Sequence, residues 1–249
     1  PKVLEKVGAK VPTTWDEFNE VADKLKAAGI TPLAHGGQAW QEAALFDSVV
    51  LGIGGTEFYR RALIDLDLKA LGSPTMAKVF DQMRTLRGMV DPNFSGRDWN
   101  LATAMVMRGE AAMQIMGDWA KGEFTAAGKV PAKDFLCFAA PGTSQKFVYL
   151  VNSFSMFEQQ SEALQASQEI MAEEIMRPEF LEAFSIAKGS IPPRPDVSVS
   201  NFDVCAKDTV NDFKVANRRN DAVPTFAFTH AAPSAVVAAT TDVITAHFN

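Results

Sequence analysis

Little in this sequence serves covalent or redox chemistry: 249 residues contain two cysteines and three histidines. Two cysteines cannot staple a small disulfide scaffold, and a chain this long buries a core without one. Cys137 and Cys205 stand 68 residues apart in no CxxC pattern, so they read either as a disulfide pair or as two buried thiols. His35, His230 and His247 fall on separate elements without ligand spacing, which argues against a metal centre. GxSxG, HExxH and GxGxxG are all absent. The nearest approach to a phosphate loop, Gly122 to Lys129, has five residues between its glycines where four are required, and Val130 where Ser or Thr should follow.

Positive charge is also scarce. Against 30 acidic residues the chain sets 24 basic ones, a net charge of −6, and no Lys/Arg stripe runs along it. A row of phosphates would go unneutralised, which excludes nucleic acid as a partner. The longest stretch free of charged side chains, Ala222 to Thr241, could span a bilayer by length alone. Pro224, His230, Pro233 and several threonines within it would leave polar groups unpaired in hydrocarbon. The chain opens Pro1-Lys2, without Met and without the apolar core of a secretion signal, so it starts at a processed end or a cut.

What is present is an ordinary globular composition, 47% hydrophobic and 22% charged, with length for one to two domains at about 150 residues each. Thr14-Trp15-Asp16-Glu17 is a capping box, and Phe18, Val21, Ala22 and Leu25 follow at helical spacing to a stop at Gly29. Trp15 belongs to the packing of that helix. Ile30 to Ala34 reads as a strand, and the loop 35–41 opens a helix through Val50 that Gly52, Gly54 and Gly55 break. A helix runs from Ser73-Pro74 to Gly88, and another from Asn100 to Arg108. Ala111 to Met116 reads as a strand, after which Gly117-Asp118 caps a helix carrying Trp119. Phe135 to Phe138 and Phe147 to Val151 are further strands. Helices follow at 161–175, 178–186, 208–219 and 233–247. Alternating helices and short strands predict an α/β chain.

Trp119 sits at a strand-to-helix turn, where α/β folds place ligands, and Trp99 flanks the preceding helix. An indole offers a flat face to the C–H side of a pyranose, while the hydroxyl rim needs fixed donors and acceptors. Composition alone favours burying both rings in a core.

The segments PTTWDEF (12–18), HGGQAWQEAALFDSVVLGIGG (35–55), MGDWAKGEF (116–124), VNSF (151–154), KGSIPPR (188–194) and HAAPSAV (230–236) decide between these readings. In order and over almost the whole chain they resemble the periplasmic glucose-binding proteins, cluster 1 extracellular solute-binding proteins of ABC sugar importers. The resemblance implies the type II periplasmic-binding-protein fold, two α/β lobes closing on one sugar. It implies a fragment with the C-terminal lobe and part of the N-terminal lobe: residues 1–147 as the first part of the C-terminal lobe, 148–199 as a crossover segment belonging to the N-terminal lobe, and 200–249 as the return. ITAHFN at the end precedes a terminal helical segment expected of the family.

By the same resemblance Trp119 is the indole that stacks on the sugar, Trp99 a second aromatic wall, Lys188 a donor to hydroxyls and His230 a hydroxyl contact. His230 lies just before the Pro233 helix, whose dipole favours the neutral ring. Gln38, Trp40 and Gln41 border the cleft with a looser match to direct contacts. Asn152 stands where an Asp is expected, replacing charge-assisted acceptance with an amide. In the oxidising periplasm the resemblance makes Cys137 and Cys205 a disulfide. It implies a monomeric carrier of a monosaccharide such as glucose, handing its ligand to a membrane permease, with no cofactor, no membrane insertion and no catalysis. A carbohydrate-active enzyme would share the tryptophans but needs two carboxylates about 5 to 9.5 Å apart, with Asp98, Asp118 and Glu123 as candidates. A helical interaction module would bury Trp99 and Trp119 in its core.

Overall fold

A computed structural model describes residues 1–249. Element by element the chain runs α1 (Lys2–Lys6), α2 (Trp15–Ala27), β1 (Thr31–Leu33), α3 (Ala39–Tyr59) and a π-helical turn at Arg60–Ile64. There follow α4 (Leu68–Leu71), α5 (Pro74–Arg87), α6 (Trp99–Arg108), β2 (Ala111–Met113), α7 (Ala120–Ala126) and β3 (Phe147–Tyr149). The last part holds α8 (Glu162–Ile175), α9 (Pro178–Lys188), α10 (Val204–Arg218), β4 (Ala222–Pro224) and α11 (Ser234–Phe248). Two ladders organise it, both parallel. β1 pairs β2 with Thr31 opposite Ala111 and Leu33 opposite Met113. β3 pairs β4 with Phe147 opposite Ala222 and Tyr149 opposite Pro224. Parallel pairs need long crossovers, and here helices supply them.

The capping box is formed. Thr14 Oγ1 accepts from the Glu17 N–H at 3.2 Å and Glu17 Oε2 accepts from the Thr14 N–H at 3.3 Å, so α2 begins where the sequence places it. Its apolar face, with Trp15, Phe18, Val21 and Leu25, enters one large core together with α3, α5 and α11. Asn19 and Gln82 exchange amide hydrogen bonds of 3.2 and 3.0 Å between α2 and α5.

Two expectations are corrected, and a third is shifted along the chain. The glycine break in α3 falls at Gly55, later than Val50: there the backbone leaves the helix with φ 75° and ψ 179°, a conformation a side chain would resist, and a second helical stretch continues to Tyr59. Packed against α5 and α11, the first stretch gains more from continuing past Val50 than Gly52 and Gly54 cost. Phe135 to Phe138 forms no strand. Phe135 makes a single isolated bridge, to Pro131, and the segment is held by the stacking of Phe135 on Phe124 at 4.4 Å and by a Cys137–Cys205 disulfide. Asp118 does not cap α7. The helix starts at Ala120 without a side-chain cap. The charge-free stretch from Ala222 carries β4 and α11, and no helix is long and apolar enough to cross a membrane.

One buried carboxylate ties the two ladders' surroundings together. Asp47 on α3 accepts from Thr225 Oγ1 at 2.6 Å, Tyr59 Oη at 2.9 Å, and the N–H groups of Phe226 and Ala227 at 3.1 and 3.2 Å. Tyr59, itself fully buried, donates to Asp47 and lies 3.0 Å from the Pro224 carbonyl. Burial pushes the Asp47 carboxyl up to about 6, and those donors keep it from rising further.

A folded-state value above the usual 3.8 means that this group favours the fold at low pH and loses that contribution as pH rises through 6. Asp47→Asn removes the dependence. The stability advantage of the wild type over the variant, measured by urea unfolding, is expected to shrink by about 2–3 kcal/mol between pH 4 and pH 7; a constant difference contradicts this. The disulfide closes a loop of 68 residues, and replacing both cysteines by serine is expected to cost about 2–4 kcal/mol by the same measurement. An unchanged urea midpoint would refute it.

Candidate functional site

The Asp47 bracket fixes residues 225–227, and the next three, Phe228, Thr229 and His230, turn back onto a cleft of about 850 Å³. Trp40, Trp99, Trp119 and Phe228 form its apolar walls, and Asn152, Lys188 and His230 its polar groups. Six of the eight residues singled out as ligand-binding therefore converge from six separated stretches of chain.

Each wall is positioned by local structure. Arg97 donates to the His35 carbonyl at 3.1 Å and grips Asp91 through two bonds of 2.7 Å, lashing the loop before α3 to the loop before α6. On that brace Gln38 Nε2 donates to Asp98 Oδ1 at 2.5 Å, and Gln38 Oε1 accepts from Trp40 Nε1 and Gln41 Nε2, both at 2.9 Å. Gln38 and Gln41 thus stand behind the cleft and orient Trp40. The Trp99 carbonyl accepts from Gln114 Nε2 at 3.1 Å and Thr103 Oγ1 at 3.0 Å, which joins the start of α6 to the segment after β2. Phe228 meets the Trp119 ring edge-on at 5.7 Å and Trp40 at 5.9 Å.

Lys188 reaches the cleft because α7 and α9 cross closely. A Cβ on Gly122 would fall 2.7 Å from the Lys188 carbonyl oxygen, and one on Gly189 would fall 2.5 Å from the Gly122 nitrogen, so only glycines allow this approach. Gly189 also ends α9 with a φ of 86°. At that crossing the Lys188 ammonium donates to Asn152 Oδ1. Beneath, Lys121 Nζ pairs with Asp203 Oδ2 at 2.6 Å, while Asp203 Oδ1 accepts from the Ala206 N–H at the start of α10, one residue from the disulfide at Cys205.

Asp118, next to Trp119, is raised above the usual carboxylate range by burial, against the opposing charges of Lys188 and Lys121 and the amides of Ile191 and Trp119. The ring nitrogens of His230 lie 2.8 Å from the Phe228 carbonyl and 3.0 Å from that of Val151. Both partners are acceptors, and a neutral ring has one N–H to give. The ring therefore bonds one of these carbonyls and lies between the segment after β3 and the loop after β4, facing the cleft. Phe228 was missed in the sequence. No local signal marks it: Phe226 enters the core while Phe228, in the same turn, faces the cleft.

Of the carboxylates weighed for catalysis, Asp98, Asp118 and Glu123, none lines this cleft. No group of His, Cys, Asp and Glu is placed to hold a metal ion. His35 is packed against Phe94 and Phe248, and burial together with Arg97 pushes its ring down to about 4.

Comparison with known proteins agrees with this architecture. The profile of the family described as "Bacterial extracellular solute-binding protein" matches residues 1–149. A protein of Brucella suis biovar 1 (strain 1330) named "Probable sugar-binding periplasmic protein" is 50% identical over 99% of this chain, and one of the same name from Rhizobium meliloti (strain 1021) is 49% identical over 99%. The chain spans 58% and 59% of the length of these relatives. Among solved structures, the bacterial solute receptor AcbH, described as having an exclusive substrate preference for β-D-galactopyranose, superposes with a TM-score of 0.76 at 18% identity, over 99% of this chain and 62% of that one. The fold is thus the α/β type II fold of periplasmic solute-binding proteins, present over part of its usual length, and the chain belongs to the bacterial extracellular solute-binding proteins, a non-catalytic family.

Proposed function

We propose that this chain is the ligand-binding part of a periplasmic sugar carrier. It takes one monosaccharide, glucose or a close relative, between indole faces, closes on it by a hinge, and as a monomer presents the closed form to the permease of an ABC importer. The convergence of Trp40, Trp99 and Trp119 on Lys188, Asn152 and His230 carries this reading. Flat apolar faces beside a few fixed polar groups suit a pyranose, whose rings are apolar above and below and polar at the rim. The names of the Brucella and Rhizobium relatives support a sugar as ligand and the periplasm as its setting.

Residues 1–147 and 200–249 form one lobe in this reading, and 148–199 passes to the other. Helix α8 buries none of its residues, and Phe154, Phe157, Leu164 and Ile170 are exposed, which supports assigning this stretch to a second lobe. Closure then works by differential affinity: the second lobe adds contacts available only in the closed state, so ligand shifts the population toward it.

A micromolar two-lobe site that loses one wall weakens by about 4 kcal/mol, into the millimolar range. Titrating D-glucose into this chain is expected to change its indole fluorescence with a millimolar midpoint, and Trp119→Ala to abolish the response while the far-ultraviolet circular dichroism stays unchanged. No response of the wild-type chain to glucose or to any other monosaccharide would overturn the reading.

A further inference from the structure

We propose that this cleft prefers a pyranose that carries a carboxylate, a sugar of the hexuronate class, over the neutral hexose. The inference rests on the sugar-carrier reading and deepens it. Lys188 brings three donors and a full positive charge to the cleft and no acceptor. Its ammonium is met by a neutral amide, Asn152 Oδ1, and no carboxylate lines the cleft.

The usual counter-charges nearby are committed elsewhere. Asp203 pairs with Lys121 and starts α10. Asp98 is bonded to Gln38 behind Trp40. Asp118 lies in the field of both Lys188 and Lys121 and forms an ion pair with neither; the Lys121 pair is with Asp203.

The lysine also fixes the amide. With Oδ1 turned to the ammonium, Asn152 has its two N–H donors left for a ligand, since the flipped amide would set donor against donor. His230 adds no acceptor, because both its ring nitrogens face backbone carbonyls. The polar side of the cleft is therefore rich in donors and carries an unpaired cation.

On this chain's side of the cleft, a neutral sugar seated against Lys188 would displace water from that cation without supplying a counter-ion, a costly arrangement. A ligand carboxylate removes this cost and makes charge-assisted bonds to the ammonium and the amide. The indole walls require a closed ring, so an open-chain aldonate satisfies the charge but not the stacking.

The test is a fluorescence titration of this chain with sodium D-glucuronate, D-glucose and sodium D-gluconate at matched ionic strength. Glucuronate is expected to bind about tenfold more tightly than glucose, to weaken as sodium chloride is raised while glucose does not, and to exceed gluconate. Asn152→Asp, nearly isosteric and checked for folding by thermal unfolding, is expected to reverse the order by giving Lys188 its own counter-ion. Glucose binding as tightly as glucuronate, or an order unchanged in Asn152→Asp, overturns this inference and leaves the sugar-carrier reading standing. Binding of none of the three, nor of any other monosaccharide, removes both.

Discussion

The cleft depends on a carboxylate that never touches it. Asp47 is buried within α3 and gathers four donors, three of them from residues 225–227. Ionising a carboxylate in a core is unfavourable, and only a full set of hydrogen bonds sustains it. The bracket therefore has one arrangement that works, and in it the backbone emerges at Phe228 and His230 facing the indoles. Stability and site geometry are here the same constraint: what satisfies the buried charge also aims the loop.

The opposite side of the cleft uses steric means. Gly122 and Gly189 let α7 and α9 approach until the end of one helix touches the first turn of the other. That crossing brings Trp119, Asp118 and Lys188 together; below it the Lys121–Asp203 pair anchors α7 to the start of α10, and the disulfide ties the segment 135–138 to the same helix. A charge bracket on one wall and a glycine crossing on the other place rigid groups around a space that a ring can fill, which is the preorganisation a binding site needs.

Much of the helical frame was legible because its signals are local. The Thr14–Glu17 box, the Ser73-Pro74 start and the apolar spacing of α2 and α5 each act within a few residues, and the structure places those helices accordingly. The errors came where distant packing decides. Gly52 and Gly54 look like a stop until α5 and α11 are seen around α3, which breaks only at Gly55, and Phe135 to Phe138 looks like a strand until no sheet edge is found beside it. β4, three residues long, takes its pairing from β3, with Ala222 opposite Phe147, 75 positions earlier, and nothing near it in sequence announces that partner. Within the site, the tryptophans, Lys188 and His230 were found through the resemblance of their segments. The supporting role of Gln38 and Gln41 and the presence of Phe228 depend on the path of loops that only coordinates reveal.

Three of the four indoles face the cleft, and the fourth, Trp15, is buried in the core of α2 and α3. Their side-chain N–H resonances in a nitrogen–proton correlation spectrum therefore report the central claim directly. Adding sugar to the isotopically labelled chain should shift the signals of Trp40, Trp99 and Trp119 and leave that of Trp15 in place. If all four signals stay fixed, or if Trp15 moves while the other three do not, the cleft is not where a sugar binds.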